Sequence, residues 1–303
     1  MLGIVMLNYN GWQLSVDCIE SIENTTKIEH RIYLVDNAST VIPSEEIEQR
    51  INNFQNVIFI RNNNNRGYAA GNNIGILKAM KDGCNEILIT NNDVVFSKDC
   101  IDGLQDFLIK NSDVGIVGPK VYLPDGRLQE INMGCEMSLK GKYLYLLRKT
   151  PFKSLGRSFL RDFHAEKMDL NKPFQVFGVS GCCFMISKEC VQYLYPLDEN
   201  TFLYEEENII ANKINKLGKK VIYYSPLTIV HLGGQSTKNL SAFSYSCFVE
   251  SEIYYTRKYL LAKRWEILSL YLIRNLVYMK KYGICGYKEF IIKTWKMFCK
   301  NLD

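Results

Sequence analysis

No run of about 18 apolar residues occurs in this sequence of 303 residues, so no membrane-spanning helix is expected. Its ten cysteines include no pair at C-x-x-C spacing, which argues against a zinc site and for reduced thiols. The opening stretch, MLGIVMLNYN, lacks a basic leader and a small-residue cleavage motif, so a secretory signal peptide is not expected. These absences point to a cytoplasmic protein. Also missing is a G-x-G-x-x-G turn after the first strand, since Gly67, Gly71 and Gly75 recur every four residues instead. No Walker A lysine motif is present either, and dehydrogenase and P-loop readings are weak for that reason. A nucleotidyltransferase is a distant third, because its glycine-rich, lysine-bearing amino-terminal loop is absent.

Composition is that of an ordinary globule, 47% hydrophobic and 23% charged, long enough for a full core. The net charge of +5 is unevenly distributed. From Ser251 to Asp303 there are eleven Lys and Arg against four Asp and Glu, a balance of +7, so the preceding residues sum to −2. A near-neutral body argues against nucleic-acid binding, and a basic tail calls for an anionic partner.

The body alternates apolar strands, polar loops and helices. Gly3 to Leu7 enters the loop Asn8-Tyr9-Asn10-Gly11, and a helix follows with Leu14, Cys18, Ile19 and Ile22 on one face. Arg31 to Val35 ends in Asp36-Asn37-Ala38-Ser39, and Glu86 to Thr90 ends in Asn91-Asn92-Asp93. Strand, loop and helix in repetition predict an α/β fold with a doubly wound, mostly parallel sheet, whose strand-end loops converge on one edge. The four-residue glycine spacing after Arg66 gives a smooth helical face suited to close packing. Further on, Met137 to Lys172 shows no clear period and reads as a mobile loop, and Phe174 to Ser187 reads as one buried strand.

Three polar clusters carry chemistry. Asn91-Asn92-Asp93 is good turn chemistry, but a carboxylate at a strand's carboxyl end also suits Mg²⁺ or Mn²⁺ shared with substrate phosphates. Glu205-Glu206-Glu207 opens a helix, where the dipole favours acids, yet the aromatic run ahead can shield one of them for general-base work. His231, one of three histidines, lies in a Gly-rich stretch suited to approaching a phosphate.

Taken in order, LNYNG, VDNAS, NRGYAAGNN, NNDVVF, GVSGCCFMI, and FLYEEEN followed by VHLGG resemble the family 2 inverting glycosyltransferases. The likeness covers about Leu2 to Asn239 and is nearest to bacterial rhamnosyltransferase-like members that build cell-surface polysaccharides. It implies a GT-A domain over residues 1–240, with a nucleotide-binding half (1–98) and an acceptor half (99–240), followed by a helical segment (241–303). Asn8 and Tyr9 would border the nucleobase and Asp36 would accept a hydrogen bond from it. Arg66 and Gly67 would lie beside the nucleotide, and Asn72 near the sugar or phosphates. Asn91-Asn92-Asp93 takes the place of the D-x-D signature, with Asp93 as ligand to Mg²⁺ or Mn²⁺. Asn91 can still reach the ribose but removes one negative charge. Gly181 and Cys182 would line the acceptor side, Glu207 would be the base with Glu206 as its alternative, and His231 would add a metal or diphosphate contact. The implied partners are a dTDP- or UDP-linked sugar donor and a saccharide or lipid-linked acceptor. A catalytically silent nucleotide-sugar-binding subunit on the same fold is the competing reading.

The tail mixes eleven aromatics with its eleven bases. Tyr259, Leu260, Trp265, Leu268, Leu272, Leu276 and Met279 fall on or near one helical stripe, with Lys263, Arg264, Arg274, Lys280 and Lys281 around it. Helices packed on the body, or a helix lying in the plane of an anionic membrane, would both produce this pattern.

Overall fold

The computed structural model describes residues 1–131, 133–233, 241–284 and 286–301, residue 149 by its backbone alone. The amino-terminal half runs β1 (Leu2–Asn8), α1 (Trp12–Thr25), β2 (His30–Asp36), α2 (Glu45–Asn53), β3 (Val57–Arg61), α3 (Tyr68–Lys81) and β4 (Ile87–Asn91). These four strands pair in parallel in the order β3-β2-β1-β4; the central residues of β1, β2 and β4 are apolar and buried, as a sheet covered on both faces requires, while the edge strand β3 is half-buried with Phe59 exposed. The glycines of α3 let that helix lie close on the sheet. A methyl group at Gly71 would meet Leu7 Cδ1 at 2.5 Å, and one at Gly75 would meet Val5 Cγ1 at 2.5 Å.

The chain continues through β5 (Val94–Phe96), α4 (Cys100–Lys110), β6 (Val114–Tyr122), α5 (Leu139–Leu146), α6 (Arg157–Phe163), β7 (Phe174–Val176) and β8 (Cys183–Ile186). It then forms α7 (Lys188–Leu194), α8 (Glu206–Lys216) and β9 (Lys220–His231). β8 runs antiparallel between β4 and β6, β9 lies parallel to β6, and β5 and β7 pair antiparallel with β9. The sheet is therefore mixed, with its purely parallel part in the first half. Helices α1 and α4 cover one face, and α3, α7 and α8 cover the other, each over its own apolar core.

Two expectations are corrected. The segment 137–172 holds helices α5 and α6 with short 3-10 turns between them, where a loop was expected. It lacked a readable period because α5 is ordered by tertiary contacts: Lys142 is buried against Glu205, and Tyr143 bonds to the tail. The expected single strand 174–187 is two, β7 and β8, separated by a loop around Gly178 and Gly181.

The tail is α9 (Ala242–Lys258), α10 (Arg264–Tyr282) and α11 (Tyr287–Lys300), packed around a third core of Tyr245, Val249, Ile253, Tyr271, Tyr278 and Phe290. Arg274 forks onto Glu252 with both nitrogens 2.5 Å from the carboxylate oxygens, deep in that core. Among the described residues, no helix is long and apolar enough to cross a membrane.

Candidate active site

The carboxyl ends of β1 and β2 meet at Asn8 and Asp36, which are register partners. Asn8 Nδ2 donates to Asp36 Oδ1 at 3.1 Å, and the Ser39 hydroxyl donates to the same oxygen. Asn8 Oδ1 accepts from Gly11 N (3.0 Å), Ser15 Oγ (3.1 Å) and Asn92 Nδ2 (3.2 Å), so the buried Asn8 ties three loops together. Asn92 completes the tie by donating to Gly11 O at 3.1 Å and Ser15 Oγ at 2.9 Å. Asp36 is wholly buried, and among the described residues its Oδ2 has no hydrogen-bond partner, with Arg61 Nε 3.6 Å away. Tyr9 lies half exposed beside this edge.

The loop before α3 is fixed from the other half of the chain. Gly67 has φ +96°, a left-handed conformation, and a Cβ there would overlap the Phe202 backbone, with its Cα at 2.7 Å. Tyr68 N donates to Phe202 O at 3.0 Å. Arg66 is exposed and paired to Glu199 at 2.6 Å, and Glu199 also accepts from Asn73 at 2.9 Å. Asn72 is buried; its amide donates to Tyr68 O at 3.0 Å, and its Oδ1 has no partner among the described residues.

Asp93 follows β4 and faces His231 across the antiparallel β5–β9 ladder, where Val94 and His231 are partners. His231 Nε2 is 3.3 Å from Asp93 Oδ1, and Nδ1 is 2.9 Å from Gln129 Oε1. Burial opposes a low pKa for Asp93, but His231 and the Gly233 amide outweigh it and hold the carboxyl below its usual value. Burial likewise opposes protonation of His231, yet Asp93 and the neighbouring Cys182 push its pKa up to about 10. The Gly-rich continuation, residues 234–237, lies outside the described residues. Asn91 N donates to Cys182 O at 2.8 Å, which seats the 181–182 loop against β4. Among the described residues, no three His, Cys, Asp or Glu side chains converge as a metal cage. Asp93 and, once its proton is displaced, His231 still suit a cation whose remaining ligands are phosphate oxygens: one carboxylate and one imidazole.

Glu206 and Glu207 enter from a strained turn, because Tyr204 and Glu205 have φ of +75° and +68°. Glu205, the residue that caps α8, is buried, with Lys142 Nζ at 2.7 Å and Asn208 Nδ2 at 2.9 Å. Glu206 is buried, and its Oε1 has no partner among the described residues; burial and then the neighbouring Glu207 raise its pKa well above 4.5. Glu207 keeps a window to solvent and packs on Gly181, where a Cβ would collide with its carboxylate. Its pKa is raised, chiefly by burial and also by the charge of Glu205, against backbone amides including that of Gly181. Tyr68 Oη donates to Gly181 O at 2.8 Å, joining α3 to the same loop.

Glu207 therefore touches Gly181, while His231, the partner of Asp93, meets Cys182, the next residue. Glu207 and the histidine paired with Asp93 thus approach adjacent residues of one loop. Tyr68, Gln129 and Glu199 are contributors that pattern reasoning missed. Tyr68 carried a usable signal, since it directly follows Arg66-Gly67; Gln129 and Glu199 carried none.

Residues 3–194 match the family model Glycosyl transferase family 2. A search of curated protein sequences finds no match. Among solved structures, GalNAc-T7 with UDP, GalNAc and Mn2+ superposes with a TM-score of 0.57 at 16% identity, over 77% of this chain. That match spans 43% of the GalNAc-T7 chain, under half its length. S. aureus TarS 1–349 superposes with a TM-score of 0.55 at 13% identity, over 99% of this chain and 80% of that one. At such identities the likeness is one of fold, here GT-A.

Proposed function

This chain belongs to glycosyl transferase family 2, and on that premise we propose that it is an inverting transferase of a hexosyl or deoxyhexosyl group. The donor is a dTDP- or UDP-sugar, the acceptor a saccharide or lipid-linked saccharide, and the setting the assembly of cell-surface polysaccharide, as in rhamnosyltransferase-like enzymes. The protein works on the cytoplasmic side, peripheral to the membrane. One observation carries the reading: Glu207 packs on Gly181, and His231, which pairs with Asp93, meets the adjacent Cys182.

Asp36 Oδ2, buried and without a hydrogen bond among the described residues, suits the imide N–H of uracil or thymine, with Tyr9 alongside the base and Asn8 holding the carboxylate in place. Arg66 and Gly67 form the wall beside the nucleotide, Asn91 reaches the ribose, Asn92 fixes the turn, and Asn72 Oδ1, without a partner among the described residues, accepts from a sugar hydroxyl. Asp93 and His231 would hold Mg²⁺ or Mn²⁺, which when bound supplies positive charge against the departing diphosphate. Glu207 takes the proton from the acceptor hydroxyl as its oxygen attacks the anomeric carbon opposite the leaving nucleotide. Its raised pKa makes it the stronger base, and Gly181 leaves room for its carboxylate. Cys182 and Gly181 border the acceptor.

Calorimetry with UDP and dTDP, with and without Mn²⁺, tests this. Wild type should bind with Mn²⁺, and Asp93→Ala should lose the Mn²⁺-dependent part; binding indifferent to both would overturn the assignment. Asn91, in place of an aspartate, favours the silent-subunit reading. That reading wins if no UDP-, GDP- or dTDP-sugar in a panel is hydrolysed, even slowly, with metal present.

A further inference from the structure

Helix α10 has two apolar faces, and the protein covers one. Ile267, Leu270, Tyr271 and Tyr278 are buried. Trp265, Leu268, Leu272, Leu276 and Met279, at spacings of three and four residues, fall within about 80° of the helix circumference. They are 65%, 42%, 54%, 62% and 36% exposed. Arg264 and Lys280, both exposed, lie to either side of this stripe. On α11 the half-exposed Trp295 has its ring 6.0 Å from Tyr271, extending the apolar surface toward Ile292, which is also exposed.

The inserted helices border the same stripe. Tyr143 Oη donates to Glu266 O at 3.0 Å and lies 2.5 Å from Ser269 Oγ, on the flank beside Trp265. Beyond α5 is a cleft of about 340 Å³ lined by Arg148, Lys153, Arg157, Leu160, Arg161 and Glu166. Phe152 and Leu155, adjacent to Lys153 or nearly so, are 62% and 66% exposed.

We propose that this face docks on an anionic lipid bilayer, the stripe entering the boundary between headgroups and acyl chains and the cleft bases meeting lipid phosphates. Charge selects this occupant. A second copy placed stripe to stripe would set Arg264 and Lys280 against their own equivalents, whereas an anionic surface complements them. α10, about 28 Å long, lies in the membrane plane, since no described helix is apolar enough to cross. The inference goes beyond sugar transfer and stands without it.

The test is co-sedimentation of the full chain with phosphatidylcholine vesicles, with and without phosphatidylglycerol. Binding should require phosphatidylglycerol and weaken with salt. Trp265→Ser/Leu272→Ser/Leu276→Ser should lose at least about tenfold in binding. Arg148→Gln and Arg157→Gln should each lose up to about fivefold. Unchanged thermal unfolding and unchanged hydrolysis of a soluble nucleotide sugar would show that fold and active site are intact in each variant. Equal binding to both vesicle types, no binding, or unaltered binding by the triple variant would overturn the proposal. A dimer in sedimentation velocity that the triple substitution abolishes would assign the face to a second copy, and displacement of vesicles by millimolar inorganic phosphate would assign the cleft to free phosphate.

Discussion

The catalytic body and the tail break the rules of burial in opposite directions. In the body, polar oxygens are buried without a hydrogen bond among the described residues: Asp36 Oδ2, Asn72 Oδ1 and Glu206 Oε1. In the tail, the buried Arg274–Glu252 fork is saturated and, among the described residues, two hydroxyls, Tyr255 Oη and Thr256 Oγ1, are buried without a partner, but a whole apolar stripe of α10 faces water. An unpaired buried acceptor costs about 1–3 kcal/mol, so a cluster of them persists where a ligand supplies donors or a cation. An exposed apolar stripe persists where a nonaqueous surface covers it. The first departure reads a polar ligand, the second an apolar one.

The sharpest way to break the comparison is at Glu207. Glu207→Gln keeps the shape of the site and removes the base, so turnover should fall by about 10² to 10⁴ with donor affinity retained. Steady-state kinetics beside calorimetry decides this; near-normal turnover would pass the base to Glu206. The next effect belongs to the tail's saturated ion pair. Glu252→Leu leaves Arg274 buried without a counter-ion and should destabilise the chain by about 3–5 kcal/mol in denaturant unfolding. The double change Glu252→Leu/Arg274→Met should recover most of that loss, because neither charge then remains to be desolvated.

Much of the body was legible because its signals are local. Apolar strands, their polar ends and the α3 glycines report short-range physics, and the convergence of Asn8 and Asp36 follows from parallel pairing alone. The segment 137–172 was illegible for the opposite reason. Lys142, which reads as a solvated charge, is buried against Glu205 and Glu252, partners far along the chain. Within the site, Asn8 was expected to border the nucleobase; the structure adds that its amide, like that of Asn92, holds loops together, which its position in the sequence does not reveal. The stripe on α10 was visible as spacing; which of its faces is covered depends on Tyr271 and Tyr278 meeting α9 and α11. Arg274, counted among the surface bases, proved to be a core residue.

Two smaller effects sharpen the body's side of the contrast. Gly67→Ala forces a Cβ into a left-handed residue against the Phe202 backbone, and should cost at least about 1–2 kcal/mol, read as a lower Tm. Glu206→Gln should do the reverse, and only at some pH values. Burial raises the Glu206 pKa in the folded chain above its unfolded value near 4.5. Its favourable contribution is therefore fully present below pH 4.5 and is lost as pH rises through the folded value. Glutamine mimics the protonated acid and cannot ionise. Variant and wild type should thus unfold alike at pH 4, and the variant should gain as pH rises above 4.5, levelling off once Glu206 ionises in the folded chain. Matching Tm profiles across the whole range would mean that a donor reaches Glu206 after all, and the body's unpaired acceptors would lose their clearest member.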